Sequence, residues 1–139
     1  MKYMLIFRAD DEAQASMATA DFADLMEKVG KMNDELIRAG VLLAAEGLAG
    51  PEEGVVVDYS SEPPVVTDGP YGETKELFNG FYILNVASMQ EAVEWAKRSP
   101  ITGPGFKTEI RRVTTIDEMP QDNEWIKKER VWREATGQL

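Results

Sequence analysis

Val66-Thr67-Asp68-Gly69-Pro70-Tyr71-Gly72-Glu73-Thr74-Lys75-Glu76 leads into Gly80-Phe81-Tyr82-Ile83-Leu84. The first part has the chemistry of a turn. An Asp at its start accepts backbone N–H bonds, Gly supplies positive φ, and Pro fixes φ at about −65°. The second part is an aromatic and β-branched run opened by a glycine, and it reads as a core strand from Gly80 to Val86. A stiff turn feeding a buried strand therefore holds the carboxylates of Asp68 and Glu73, a lysine and an aromatic ring close to the sheet.

The flanking segments supply the rest of a sheet. Lys2 to Arg8 is rich in strand formers and reads as the first strand. Asp10-Asp11-Glu12 reads as a charged loop, followed by one helix from near Ser16 to Ala39. In that helix Phe22, Leu25, Met26, Val29, Met32 and Leu36 recur at helical spacing as one apolar stripe. Gly30 within it suggests close packing on a sheet, and Gly40 ends it as a C′ residue. Val41 to Leu48 is a second strand, apolar apart from Glu46. Val55 to Tyr59 and Pro64 to Thr67 form a hairpin through Ser60-Ser61-Glu62, and Pro63-Pro64 marks its second arm as an edge. Asp68 to Asn79 reads as loop.

After the core strand, Ser88-Met89-Gln90-Glu91 has the form of a capping box. It opens a helix with Met89, Ala92, Val93 and Ala96 on one face, and Pro100 lies beyond its end. Thr102 to Gly105 is a turn and Phe106 to Val113 the last strand of the domain. The order is βαββαβ with an inserted hairpin, which predicts a ferredoxin-like α+β sandwich over residues 1–113. Residues 114–139 read as a tail. Pro120 breaks the chain, Asp122 or Asn123 caps a short amphipathic helix, and Trp125, Ile126, Glu129 and Trp132 share a face. Two tryptophans there call for an apolar surface, either on their own domain or across a dimer.

Composition narrows the function classes. The chain of 139 residues is one domain by size, with 43% hydrophobic residues to build a core. No apolar run reaches the roughly 18 residues of a membrane span, and the N-terminus lacks the pattern of a signal peptide. A cysteine count of 0 excludes a disulfide framework, and the expected location is the cytoplasm. The net charge of −10 opposes binding to nucleic acid. With 0 histidines and 0 cysteines neither a metal site nor a cofactor is expected, and acid–base work falls to Asp, Glu, Lys or Tyr.

Several separated motifs carry a resemblance. They are Lys2-Tyr3-Met4-Leu5-Ile6, Ala39-Gly40-Val41-Leu42-Leu43, Glu46-Gly47-Leu48, the stretch from Val66 to Glu76, Gly80-Phe81-Tyr82, Glu91 to Ala96, and Glu109 to Val113. In this order they resemble the YCII-related proteins, and within them the DGPF subgroup, with Tyr71 in place of the Phe of Asp-Gly-Pro-Phe. The resemblance implies ferredoxin-like subunits that pair their sheets into a dimeric α/β barrel. For the broader family it implies a histidine–aspartate pair in a cleft, with lyase-like chemistry in some relatives. Asp68 stands where the turn aspartate stands, but this chain has no histidine to partner it. Some relatives occur beside extracytoplasmic-function sigma factors, which implies an accessory role.

The candidate site residues are these. Asp68 and Tyr71 are aimed by the turn, while Glu73 and Lys75 alternate and share a face in an extended segment. Glu46 interrupts an apolar strand, so it either points outward or faces a polar cavity, where it would serve as acid or base. Arg8 and Arg111 are candidate partners for it, with Arg8 a candidate anion holder. Two readings result. One is a dimeric small-molecule-binding or regulatory accessory protein. The other is a cofactor-independent, lyase- or isomerase-like enzyme that uses Glu46 or Asp68 as catalytic carboxylate, with Arg8, Tyr71, Glu73 and Lys75 binding substrate.

Overall fold

The computed structural model describes residues 1–68 and 76–139. Its main sheet contains β1 (Lys2–Asp10), β2 (Leu42–Gly47), β5 (Glu76–Asn85) and β6 (Phe106–Arg112), in the order β2-β5-β1-β6 with all pairs antiparallel. Helices α1 (Asp11–Thr19) and α2 (Phe22–Arg38) connect β1 to β2, and α3 (Met89–Ala96) connects β5 to β6. This is the ferredoxin-like α+β arrangement. The inserted hairpin, β3 (Val55–Asp58) with β4 (Val65–Asp68), forms a separate two-stranded sheet. A last helix, α4 (Glu124–Ala135), follows the sheet. No described helix is long and apolar enough to cross a membrane.

The core lies between the sheet and helices α2 and α3. Tyr3, Leu5 and Ala9 of β1 are buried, as alternation along a half-covered strand requires. Tyr3 and Leu5 join Leu84 and Val86 from β5 and its end, Met32 and Leu36 from α2, and Ala92 from α3. Arg98, just beyond α3, ion-pairs with Glu35 of α2 and lies 4.9 Å over the Trp95 ring, tying the two helices together.

Several boundaries differ from the sequence reading, each for a local reason. Asp10 is not in a loop. It caps α1, its carboxylate accepting the Ala13 N–H at 2.9 Å. The expected single helix from Ser16 to Ala39 is two, because Ala20 is extended and Asp21 restarts the helix by accepting the Asp24 N–H at 3.1 Å. The stripe of α2 is correspondingly shorter, with Met32 and Leu36 buried and Phe22 exposed at the first turn. Strand β5 begins at Glu76, so the end of the segment expected as loop belongs to the sheet. The Ser88 hydroxyl accepts the Glu91 N–H at 3.1 Å, but the Glu91 carboxylate takes the Ala87 N–H at 2.9 Å, one residue earlier than in a reciprocal capping box. Gly40, at φ 72°, closes α2: its N–H donates to Ile37 O and the Val41 N–H to Leu36 O, the paired bonds of a Schellman motif.

Two glycines behave in opposite ways. Gly30 packs on nothing, since a Cβ there would meet no atom within 4 Å. Gly80 is buried in β5, and a Cβ there would lie 2.6 Å from the Glu46 carbonyl oxygen and 3.2 Å from Gly47 Cα. Adjacent β2 and β5 can approach this closely only because Gly80 has no side chain.

In the tail, Asn123 caps α4 by accepting the Trp125 and Ile126 N–H groups. Ile126, Glu129 and Arg133 are half-buried, whereas Trp125 and Trp132 are 65% and 54% exposed. The tryptophans do not dock on their own domain. The 3₁₀ turn Ile116–Glu118 is held to β6 by Arg112, which makes a two-pronged bond to Glu118 at 2.5 and 3.1 Å. That bond, with the Thr115 N–H bond, draws the Glu118 carboxyl down from 4.5 to about 2.

Two outcomes are expected. Gly30→Ala raises unfolding stability by about 0.5–1 kcal/mol, through helix propensity, in urea titration. Gly80→Ala lowers it by about 1–3 kcal/mol, because backbone must move; equal effects at the two sites would contradict this packing. Because the folded-state value for Glu118 is depressed, its stabilising contribution is complete above pH 4.5 and disappears as pH falls towards 2. Carboxyl NMR titration reads this directly, and a Glu118 midpoint near 4.5 would rule out the Arg112 anchor.

Candidate functional site

A kinked register in the sheet organises the candidate site. Phe7 pairs with Gly80 and Arg8 with Phe78, so Asn79 is an extra residue, bulged out of the β1–β5 ladder. Phe7 and Tyr82 lie on the helix side of the sheet and their rings meet edge to face at 4.9 Å. Arg8 and Phe78 lie on the opposite, open side. There Phe78 stacks with Phe81 at 6.3 Å between centroids.

On the helix side is a cleft of about 570 Å³, bounded by the sheet, α1, α2 and the segment after α3. Phe7, Met26, Val29, Ile101 and Phe106 give it apolar walls, and Met17 reaches it from α1. Its distinctive polar feature is a pair in which the Tyr82 hydroxyl donates to Asn33 Oδ1. Burial pushes the Tyr82 phenol above its ordinary 10.0. At neutral pH Tyr82 is therefore a protonated donor. With Oδ1 engaged, the Asn33 amide N–H groups remain as donors to a ligand.

On the open side is a charge cluster. Arg8 ion-pairs with Glu76 and, at 3.1 Å, with Glu109, while Lys107 reaches Glu76 at 2.7 Å. Arg111 lies 3.9 Å from Glu109. The Lys107 bond above all, with Arg8 adding to it, holds the Glu76 carboxyl below its ordinary 4.5. Two cations share each carboxylate, so the network is nearly neutral and structural in character.

The expected site residues are thus dispersed. Arg8 borders the cleft, but its guanidinium is committed to Glu76 and Glu109 rather than to Glu46. Arg111 likewise pairs with Glu109. Glu46 also borders the cleft and is exposed; its cross-strand partner is Phe81, so register sets its side chain on the open side. Asp68 ends β4, paired with Val55 and exposed, and does not line the cleft. Tyr71, Glu73 and Lys75 lie outside the described residues. The cleft's own polar pair was passed over in the sequence because Tyr82 reads as core. The available signal was Asn33, a polar residue next to Met32 and one turn after Val29 on the apolar side of a helix. Among the described residues, no group of acidic side chains is placed to hold a metal ion.

Removing the hydroxyl by Tyr82→Phe is expected to cost about 0.5–1.5 kcal/mol at pH 7. Because the folded-state phenol titrates above 10.0, its contribution holds below pH 10 and is lost as pH rises further. The alkaline limb of the wild-type stability curve should accordingly flatten in Tyr82→Phe; an unchanged limb would assign it to other tyrosines.

An uncharacterised protein of Rhizobium meliloti (strain 1021) is 26% identical over 107 residues, covering 74% of this chain and 86% of that protein. Residues 1–117 match the YCII-related domain, a span that includes every strand of the main sheet and both walls of the cleft. The chain belongs to the YCII-related family.

Proposed function

We propose that this protein is a dimeric small-molecule-binding protein with an accessory or regulatory role in the cytoplasm, and that its ligand occupies the cleft over Tyr82 and Asn33. The cleft carries this reading. At about 570 Å³ it has the size of a small-molecule site, and its surface is predominantly apolar, as is usual for such sites. The Tyr82–Asn33 pair supplies orientation: a neutral hydroxyl and an amide can hold one polar group of a largely apolar ligand.

The alternative, a cofactor-independent enzyme, would need an acid or base at the ligand. The carboxylates offered for that task, Glu46 and Asp68, stand respectively on the open side by register and away from the cleft lining. Tyr82 is held protonated, which suits donation and opposes service as a base. Binding is therefore the better supported reading.

Dimerisation is supported by the open side of the sheet. Met4 and Ile6 of β1 and Phe81 and Ile83 of β5 form its centre by register, with α2 and α3 on the other side. A second copy can bury this apolar centre isologously.

A thermal-shift screen of small aromatic and aliphatic acids and phenols tests the cleft. A ligand at about 100 times its Kd should add about 2.7 kcal/mol of stability. The shift should vanish in Met26→Trp, which fills the cleft, and weaken in Asn33→Ala. A shift that survives Met26→Trp would place the ligand elsewhere, and no shift with any compound would refute the binding reading.

A further inference from the structure

The β3–β4 hairpin is unusual in what it leaves uncovered. All eight residues of its two strands are exposed, including Val55, Val56, Val57, Val65 and Val66. Valines alternate to both faces of a strand, so neither face rests on the domain. A two-stranded ribbon alone in water is only marginally stable, and a valine-rich one is a template for association. The same segment is also strongly acidic. From residue 47 to residue 68 there are Glu52, Glu53, Asp58, Glu62 and Asp68, and no lysine or arginine.

Helix α4 is its complement. It carries Lys127, Lys128, Arg130 and Arg133 against Glu124, Glu129 and Glu134, and among the described helices it alone is net positive. Trp125, Val131 and Trp132 are exposed on it, with Lys128 Nζ 4.4 Å over the Trp125 ring. Arg130 and Arg133 are engaged with Asp117 and Glu129, which leaves Lys127 and Lys128 as the cations beside the tryptophans.

We infer that the β3–β4 hairpin of one protomer docks on α4 of a second copy of this chain, valines against tryptophans and hairpin carboxylates against Lys127 and Lys128. Tryptophan and valine surfaces exclude water together, and the opposite charges at the rim set register and orientation. In a two-fold assembly the contact occurs twice, since each copy offers both a hairpin and a helix. The inference rests on the dimeric reading above and adds to it a contact separate from the sheet faces.

The natural absence of cysteine makes a cross-linking test clean. Val56→Cys and Ala135→Cys are prepared as separate proteins, mixed to exchange subunits, and treated with a short bismaleimide. The expected product is a two-chain species whose linking peptide joins β3 to α4. Its yield should be several-fold above that of a control pair in which Lys28→Cys, on the exposed side of α2, replaces Ala135→Cys. Adding Lys127→Glu and Lys128→Glu should remove that excess, and raising the salt should reduce it. Light scattering on the untouched protein separates the failures. A monomer would overturn the dimeric reading and this inference together. A dimer whose β3–α4 yield is no higher than the control would overturn this inference alone. A chain carrying both cysteines that links only within itself would also overturn it, by assigning the contact to one protomer.

Discussion

Strand β1 lies between β5 and β6 and hydrogen-bonds to both, so its alternation decides which residues meet the helices and which face the open side. Tyr3, Leu5 and Ala9 go into the core, while Met4, Ile6 and Arg8 go to the other side. Its neighbours inherit this choice through register: Leu84 and Ile110 lie with the core, and Ile83, Phe81 and Glu109 with the open side. A one-residue slip of β1 would exchange the two sets at once. The helices contribute less to this decision. They cover the side that β1 has made apolar, and where α2 and the segment after α3 diverge they leave the cleft.

Much of this was legible in the sequence because it depends on local patterns. Strand-forming runs at Lys2, Val41, Gly80 and Phe106, with amphipathic helices after the first and the third, fix the βαββαβ order, and Gly40 marks a helix end by its own backbone chemistry. Helix starts were less legible. An Asp can cap a helix or sit in a loop, and only the hydrogen bonds accepted by Asp10 and Asp21 distinguish these. Gly30 misled for a related reason. A glycine inside a helix signals close approach only if another element lies over it, and which face of a helix is covered is decided by tertiary packing.

The site was harder to foresee than the fold. Charged residues attract attention in a sequence, and Arg8, Glu46 and Asp68 did so. In the structure Arg8 is matched by two carboxylates, and Glu46 and Asp68 are exposed. The polar pair that faces the cleft consists of a tyrosine and an asparagine, 49 residues apart in sequence. Neither stands out alone, since each has an ordinary structural use; their meaning comes from meeting inside an otherwise apolar wall.

The bulge at Asn79 has a consequence for how this chain can vary. Without the extra residue, strict alternation from Gly80 would put Glu76 on the helix side of the sheet and Leu77 on the open side. With it, Glu76 reaches Arg8 and Lys107, and Leu77 pairs with Ala9. Asn79 thus acts as a phase shifter between two halves of one strand. Its side chain, accepting a 2.9 Å bond from Gln14 of α1, fastens that shift to the helix layer. Lengthening or shortening β5 by one residue on either side of Asn79 would move the charge cluster or the aromatic floor of the cleft to the wrong side. Between Glu76 and Tyr82, therefore, an insertion cannot be absorbed.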